Sequence, residues 1–177
     1  MSKKVKKSKT KWIIQITSIT FLISLVFSGL SEILIPNLNI YIGIFIVIVF
    51  ILIGVIFDMV GVAITSADDK PFHAKSSKKI KGAKTAVKLL KNADKVSSFC
   101  NDVIGDICGI LSGSAGITIT NSIINKFDFN PFTVTLLVTA IIASLTIGGK
   151  AIGKSIAIKN NTEIVYIFSK IISYFYK

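Results

Sequence analysis

Apolar residues in this chain fall into four long blocks rather than into the period-2 or period-3.6 patterns of half-buried strands and helices. The blocks are Trp12–Leu30, Ile40–Ala63, Val96–Ile124 and Phe132–Gly149, each of the length a helix needs to cross a hydrocarbon core. Ile40–Ala63 is the most apolar of them, and Asp58 interrupts it near one end. Two short polar connections separate blocks: Ser31–Asn39, with Glu32 and Pro36, and Asn125–Pro131, with Lys126 and Asp128. Two other stretches carry helical periodicity. Ser77–Lys91 places Ile80, Ala83, Val87 and Leu90 on one side and lysines elsewhere, predicting a basic amphipathic helix. Lys150–Lys177 places Ile164, Ile167, Phe168, Ile171, Ile172 and Phe175 in a stripe, predicting a cytosolic helix that lies along the interface. The pattern predicts an all-α polytopic membrane bundle: four transmembrane helices, a basic juxtamembrane helix after the second, and an amphipathic C-terminal helix.

Charge gives this bundle an orientation. The net charge of +12 comes from 21 lysines with no arginine. Six lie in Met1–Lys11, nine in Thr65–Lys95 and five in Lys150–Lys177, whereas the two short connections share one. The bias predicts a multi-pass protein of the cell membrane with both termini cytoplasmic, and with anionic inner-leaflet headgroups as partner of the 65–95 segment. Nucleic acid is not an expected partner, because arginine forks usually carry phosphate and base recognition. Met1–Lys11 reads as a tail too short to fold. The block after it has no small-x-small cleavage site, so Trp12–Leu30 is expected to be a retained span anchored by Trp12. Cys100 and Cys108 are eight residues apart, roughly 12 Å of helical rise, too far for a disulfide.

The chemistry concentrates in Asn101–Gly113, where an apolar run carries Asp102 and Asp106 and then Gly105, Gly109 and Gly113 at four-residue spacing. On one α-helix Asp102, Asp106, Gly109 and Gly113 share a face. A carboxylate at a bilayer centre costs about 2.5–3.5 kcal/mol, so it needs a partner, a cavity or an ion. The glycines predict close helix approach, in the bundle or across a dimer. Asp102 stands near the start of its span and Asp106 one turn deeper; Asp58 stands at comparable depth on the preceding span. Three carboxylates at one depth form a possible oxygen set for a hard cation such as Mg²⁺. Gly148–Ser155 matches the phosphate-loop spacing G-x-x-x-x-G-K-S, but it follows a membrane-length block rather than a short strand. It is read instead as a hinge where the last span leaves the membrane. His73 has no partner at metal-ligand or catalytic spacing, and no Ser/His/Asp or Cys/His set can be assembled; an enzyme is not expected.

These residues also resemble a family. The span ending in Ala63–Ile64–Thr65–Ser66, the basic segment with Ala83, Ala86, Leu89 and Leu90, Ile104–Gly105–Asp106 and Gly149–Ser155 are together similar to the transmembrane domain of the CNNM/CorC (CorB) magnesium transporters. The family motifs read roughly F-S-x-x-E-x-A-L-x-S, I-G-N and G-E-x-L-P-K-S. Phe57, Ala63, Ser66, Ile104, Gly105, Gly149, Lys154 and Ser155 match them. Asp58 stands for the serine, Gly61 for the glutamate, Asp106 for the asparagine, Lys150 for the second glutamate and Gly153 for the proline. The resemblance covers about residues 50–165. It divides the chain into a basic tail (1–11), an additional transmembrane helix (12–36), a CNNM-like domain (37–165) and the end of a C-terminal amphipathic helix (166–177). The CBS domains that usually follow are not expected here.

The resemblance implies transport or binding of a divalent cation by a homodimer. It suggests a Mg²⁺ site drawing on Asp58, Asp102, Asp106, Ser66 and Gly105. The departures imply an opposite alternative: Lys150 replaces the cation, pairs with Asp106 or Asp58, and the protein is a non-transporting membrane scaffold. A Lys150 ammonium within about 4 Å of either carboxylate favours that alternative.

Overall fold

The computed structural model describes residues 2–34, 39–127 and 129–175; Pro36 and Asp128 of the predicted connections lie outside them, as does the side chain of Glu32. Among the described residues, eight α-helices run in the order α1 (Ser2–Leu34), α2 (Ile40–Ser66), α3 (Lys70–Ser77), α4 (Ala83–Lys91), α5 (Ala93–Ser98), α6 (Asp106–Phe127), α7 (Pro131–Lys159) and α8 (Asn161–Phe175), with a π-helical turn at Phe99–Gly105 between α5 and α6. No strand occurs among the described residues. Among the described residues, four stretches are long and apolar enough to cross a membrane: Thr10–Leu30, Ile40–Ser66, Ala93–Phe127 and Pro131–Lys159. The all-α membrane bundle expected from the blocks is the architecture observed.

Four boundaries differ from the sequence reading. The helix starts at Ser2 rather than after the lysine tail, because lysine itself has good helix propensity. The third span is not one α-helix: its winding widens to i→i+5 at Phe99–Gly105. The expected helix over 77–91 is broken. Ile80 N–H donates to the Lys75 carbonyl and Lys79 N–H to that of Ser76, at 3.1 and 3.0 Å, with Lys79 left-handed at φ 56°. This is a Schellman stop. Gly82 at φ 87° then starts α4, a conformation that costs glycine nothing and any other residue strain. Finally, the expected hinge at Gly148–Ser155 is continuous helix, and the break comes at Asn160, between α7 and α8.

The chain divides into two compact units. The first comprises residues 1–50 and 107–143. Its buried positions include Val47, Leu111, Ser112, Ala115, Ile119 and Thr120, and a side chain on Gly116 would run into Ile142. Ile13, Phe21, Leu25 and Val26 of α1 are exposed, as suits a helix bathed in lipid.

The second unit comprises residues 51–106 and 144–177. Its core gathers Val60, Ala63, Ile64, Phe72, Ala86, Cys100, Ala157 and Val165, with Phe57 and Phe168 edge to face at 6.4 Å. Asp68 accepts a 3.2 Å bond from the Lys70 N–H as the chain turns into α3, where Pro71 sits in the first turn without a lost hydrogen bond. The apolar face of α4 (Ala83 and Ala86 fully buried) is spent on packing within this unit, against α8 and α3, rather than on lipid as its periodicity led one to expect. Asn161 Nδ2 donates 2.9 Å to the Ser66 carbonyl, tying the start of α8 to the end of α2. Cys100 and Cys108 are buried and form no disulfide.

Candidate functional site

Within the second unit, α7 approaches α2 through two glycines one turn apart. A Cβ on Gly149 would lie 2.9 Å from Val55 Cγ2, and one on Gly153 would lie 2.7 Å from Met59 Cγ. Real side chains do not reach such distances, so glycine is what permits the approach. In lipid, where helices gain no hydrophobic drive from meeting, such small-residue seams supply the packing. Each glycine is followed by a lysine, and the seam therefore carries Lys150 and Lys154 to the flank of α2 where Asp58 stands.

Asp58 is buried, its side chain 5% exposed. Lys154 Nζ lies 3.7 Å from its Oδ2 and Lys150 Nζ 4.0 Å from its Oδ1. Lys150, itself four-fifths buried, also donates a 3.2 Å hydrogen bond to Asp106 Oδ1. Asp106 is the first residue of α6, directly after the π-helical turn. The result is a chain Lys154–Asp58–Lys150–Asp106 of alternating sign and zero net charge. The alternative's distance criterion is met by Lys150 toward Asp106.

Gly105 lies beside Lys150. A Cβ there would lie 3.3 Å from the Cys100 carbonyl oxygen and 3.6 Å from Lys150 Nζ. Asp102 falls inside the π-helical turn and is exposed, whereas Asp106 begins regular α-helix. Asp102 takes no part in the ion-pair chain. Ser66 stands eight residues from Asp58, roughly 12 Å of rise. Its hydroxyl donates 2.8 Å back to the Val62 carbonyl. Of the five residues expected to hold a metal, Asp58 and Asp106 share a lysine, Gly105 lines that lysine, and Asp102 and Ser66 lie apart. No group of three or more His, Cys, Asp or Glu side chains is placed to hold a metal among the described residues.

Sequence reasoning missed two participants. Lys154 was legible as the second half of a Gly–Lys repeat (Gly149–Lys150, Gly153–Lys154), which puts both ammonium groups on one side of α7. Asn101 gave no such signal. Its side chain fills the space over Gly61, where a Cβ would overlap it. Its Nδ2 reaches Ser97 Oγ at 3.4 Å, while its buried Oδ1 has no hydrogen-bond partner. His73 pairs with Asp69, at 3.7 Å on the exposed side of α3.

No curated protein and no solved structure matches the chain. A family model does: that of the cyclin M (CNNM) transmembrane N-terminal domain, over residues 44–177, beginning early in α2 and taking in all four residues of the ion-pair chain. The four apolar helices and this match make it a multi-pass membrane protein, and the chain belongs to the CNNM transmembrane-domain family.

Proposed function

We propose that this protein is a CNNM-type membrane protein whose cation niche is filled by its own lysine, so that it holds no standing Mg²⁺ site at the Asp58–Asp106 face. The observation that carries this is the position of Lys150, 3.2 Å from Asp106 and 4.0 Å from Asp58, with Lys154 closing on Asp58 from its other oxygen. A divalent cation binds where negative charge is in excess, and here two carboxylates meet two ammonium groups. On this reading the protein is a membrane scaffold rather than an enzyme, both termini are cytoplasmic and the membrane is the cell membrane. It associates as a homodimer; the half-buried glycines Gly109 and Gly113, where a Cβ would meet nothing within 4 Å, support such an association.

A second reading, Mg²⁺ binding or transport with the lysines displaced, draws on one specific feature. Asp58 Oδ2 is buried and accepts no hydrogen bond, leaving an acceptor that a cation would satisfy. The two readings are separated by purified protein in liposomes loaded with a Mg²⁺-sensitive dye. The expected result is no Mg²⁺ entry through the wild type at millimolar Mg²⁺, and Mg²⁺ binding created in Lys150→Glu. Entry through the wild type that Asp106→Ala abolishes would overturn the proposal and establish the second reading.

A further inference from the structure

The outward surface of the second unit has a feature that the ion-pair chain does not explain. The turn between α3 and α4 presents Lys78, Lys79, Ile80 and Lys81 to the outside, with Ile80 39% exposed. Its position is fixed. A Cβ on Gly82 would lie 3.0 Å from the Lys170 Cα, so the turn rests directly on the backbone of α8. Lys81 Nζ stands 4.3 Å above the ring of Tyr174, and Lys75 Nζ stands 4.5 Å above that of Tyr166. Tyr174 belongs to an exposed stripe on α8, Ile167–Ile171–Tyr174 with Phe175, at the spacing of one helix face. The opposite face, Val165 and Ser169, is fully buried. α8 is thus apolar on two sides, and only one is used by the fold.

We propose that this turn and the outward stripe of α8 form a single contact site for anionic phospholipid, with the apolar side chains at the acyl boundary and the lysines on headgroup phosphates. Three observations select that occupant. The surface combines an apolar stripe with a lysine rim, the composition of a helix lying in the interface plane. Lysine charge is in large excess, since residues 70–95 hold nine lysines against one acid, Asp94. And the start of α8, separated by Asn160 alone from the end of α7, is bonded to the end of α2, so the stripe begins where two apolar spans end. The proposal is independent of how the Asp58–Lys150 face is used.

The test places a reporter in the patch. The full chain, as Trp12→Phe with Tyr174→Trp, is reconstituted in phosphatidylcholine nanodiscs containing a small mole fraction of brominated lipid that quenches the tryptophan. Brominated phosphatidylglycerol is expected to quench several-fold more than brominated phosphatidylcholine, each lysine near the surface contributing about fivefold in affinity. Adding Lys78→Gln, Lys79→Gln and Lys81→Gln should bring the two lipids to parity with the helical content unchanged. Gly82→Ala, which lifts the turn from α8 without removing charge, should lower the preference as well. Equal quenching by both lipids before any lysine is removed, or a preference that survives the triple substitution, would overturn the proposal. So would loss of the preference on adding millimolar inorganic phosphate, which would mean that the lysines read free phosphate, or on adding poly-glutamate, which would assign the surface to an acidic polypeptide.

Discussion

Two glycine ladders of the same spacing behave differently in this molecule. Gly149 and Gly153 meet Val55 and Met59 so closely that neither tolerates a Cβ, whereas Gly109 and Gly113 face open space. Four-residue spacing makes close approach possible, but whether it is used depends on what stands opposite. Opposite Gly149 and Gly153 is the flank of α2, one turn of which presents Val55, Asp58 and Met59. The first ladder therefore packs and delivers charge in one stroke. The second leaves room at half-buried backbone that another molecule or lipid can fill.

The sharpest break of this comparison is a bulky side chain placed in each ladder. Gly153→Leu should lower stability by at least about 3 kcal/mol, the upper end for overpacking, because Met59 must move and Lys154 is carried away from Asp58. Gly109→Leu should change it by no more than about 0.5 kcal/mol, as for an open surface position. Thermal unfolding of the two variants in one detergent checks the contrast; if Gly109→Leu proved the more damaging, the assignment of the seam would be wrong. Cross-linking sharpens it further, since Gly109→Leu should lose any dimer that Gly153 variants keep.

The middle-sized effect concerns the charges that the seam delivers. Lys150→Met should cost about 1–3 kcal/mol, the range for leaving a buried polar partner unsatisfied. Adding Asp58→Asn should recover much of that, since the two residues act on one another. Additive losses in this double-mutant cycle would show that Lys150 and Asp58 are not coupled. The same substitution at Lys126, outside the seam, serves as a control.

The smallest effect belongs to a carboxylate away from both ladders. The Lys70 N–H holds the Asp68 carboxyl below its ordinary value of 3.8. A depressed folded-state pKa gives stability that is complete above the unfolded value and lost as pH falls through the folded one. Asp68→Asn should therefore unfold slightly earlier than wild type at pH 7. The two curves should merge on acidification below the ordinary carboxylate value; a difference that persisted there would argue against the Lys70 bond as its cause.

The family motifs single out Asp58, Asp106 and Lys150, and the departure at Lys150 itself implies a counter-charge. The residues least legible were those whose role depends on a neighbour far along the chain. Asp102 and Asp106 stand four residues apart, yet it is Asp106 that meets an ammonium group, on Lys150, 44 residues further along the chain. Ser66 matched a motif, yet its hydroxyl is satisfied within its own helix. Asn101 carried no periodic signal, because its role is to fill the space that Gly61 leaves open.

The sequence by itself determined the spans, since hydrocarbon demands about twenty apolar residues whatever the packing. It also placed a lysine-rich segment beside them. Only the tertiary structure decided which glycines touch, which face of α4 is spent on protein, and which carboxylates meet an ammonium. Each of those outcomes depends on two segments meeting across many residues of chain, and a local pattern carries no record of what stands opposite.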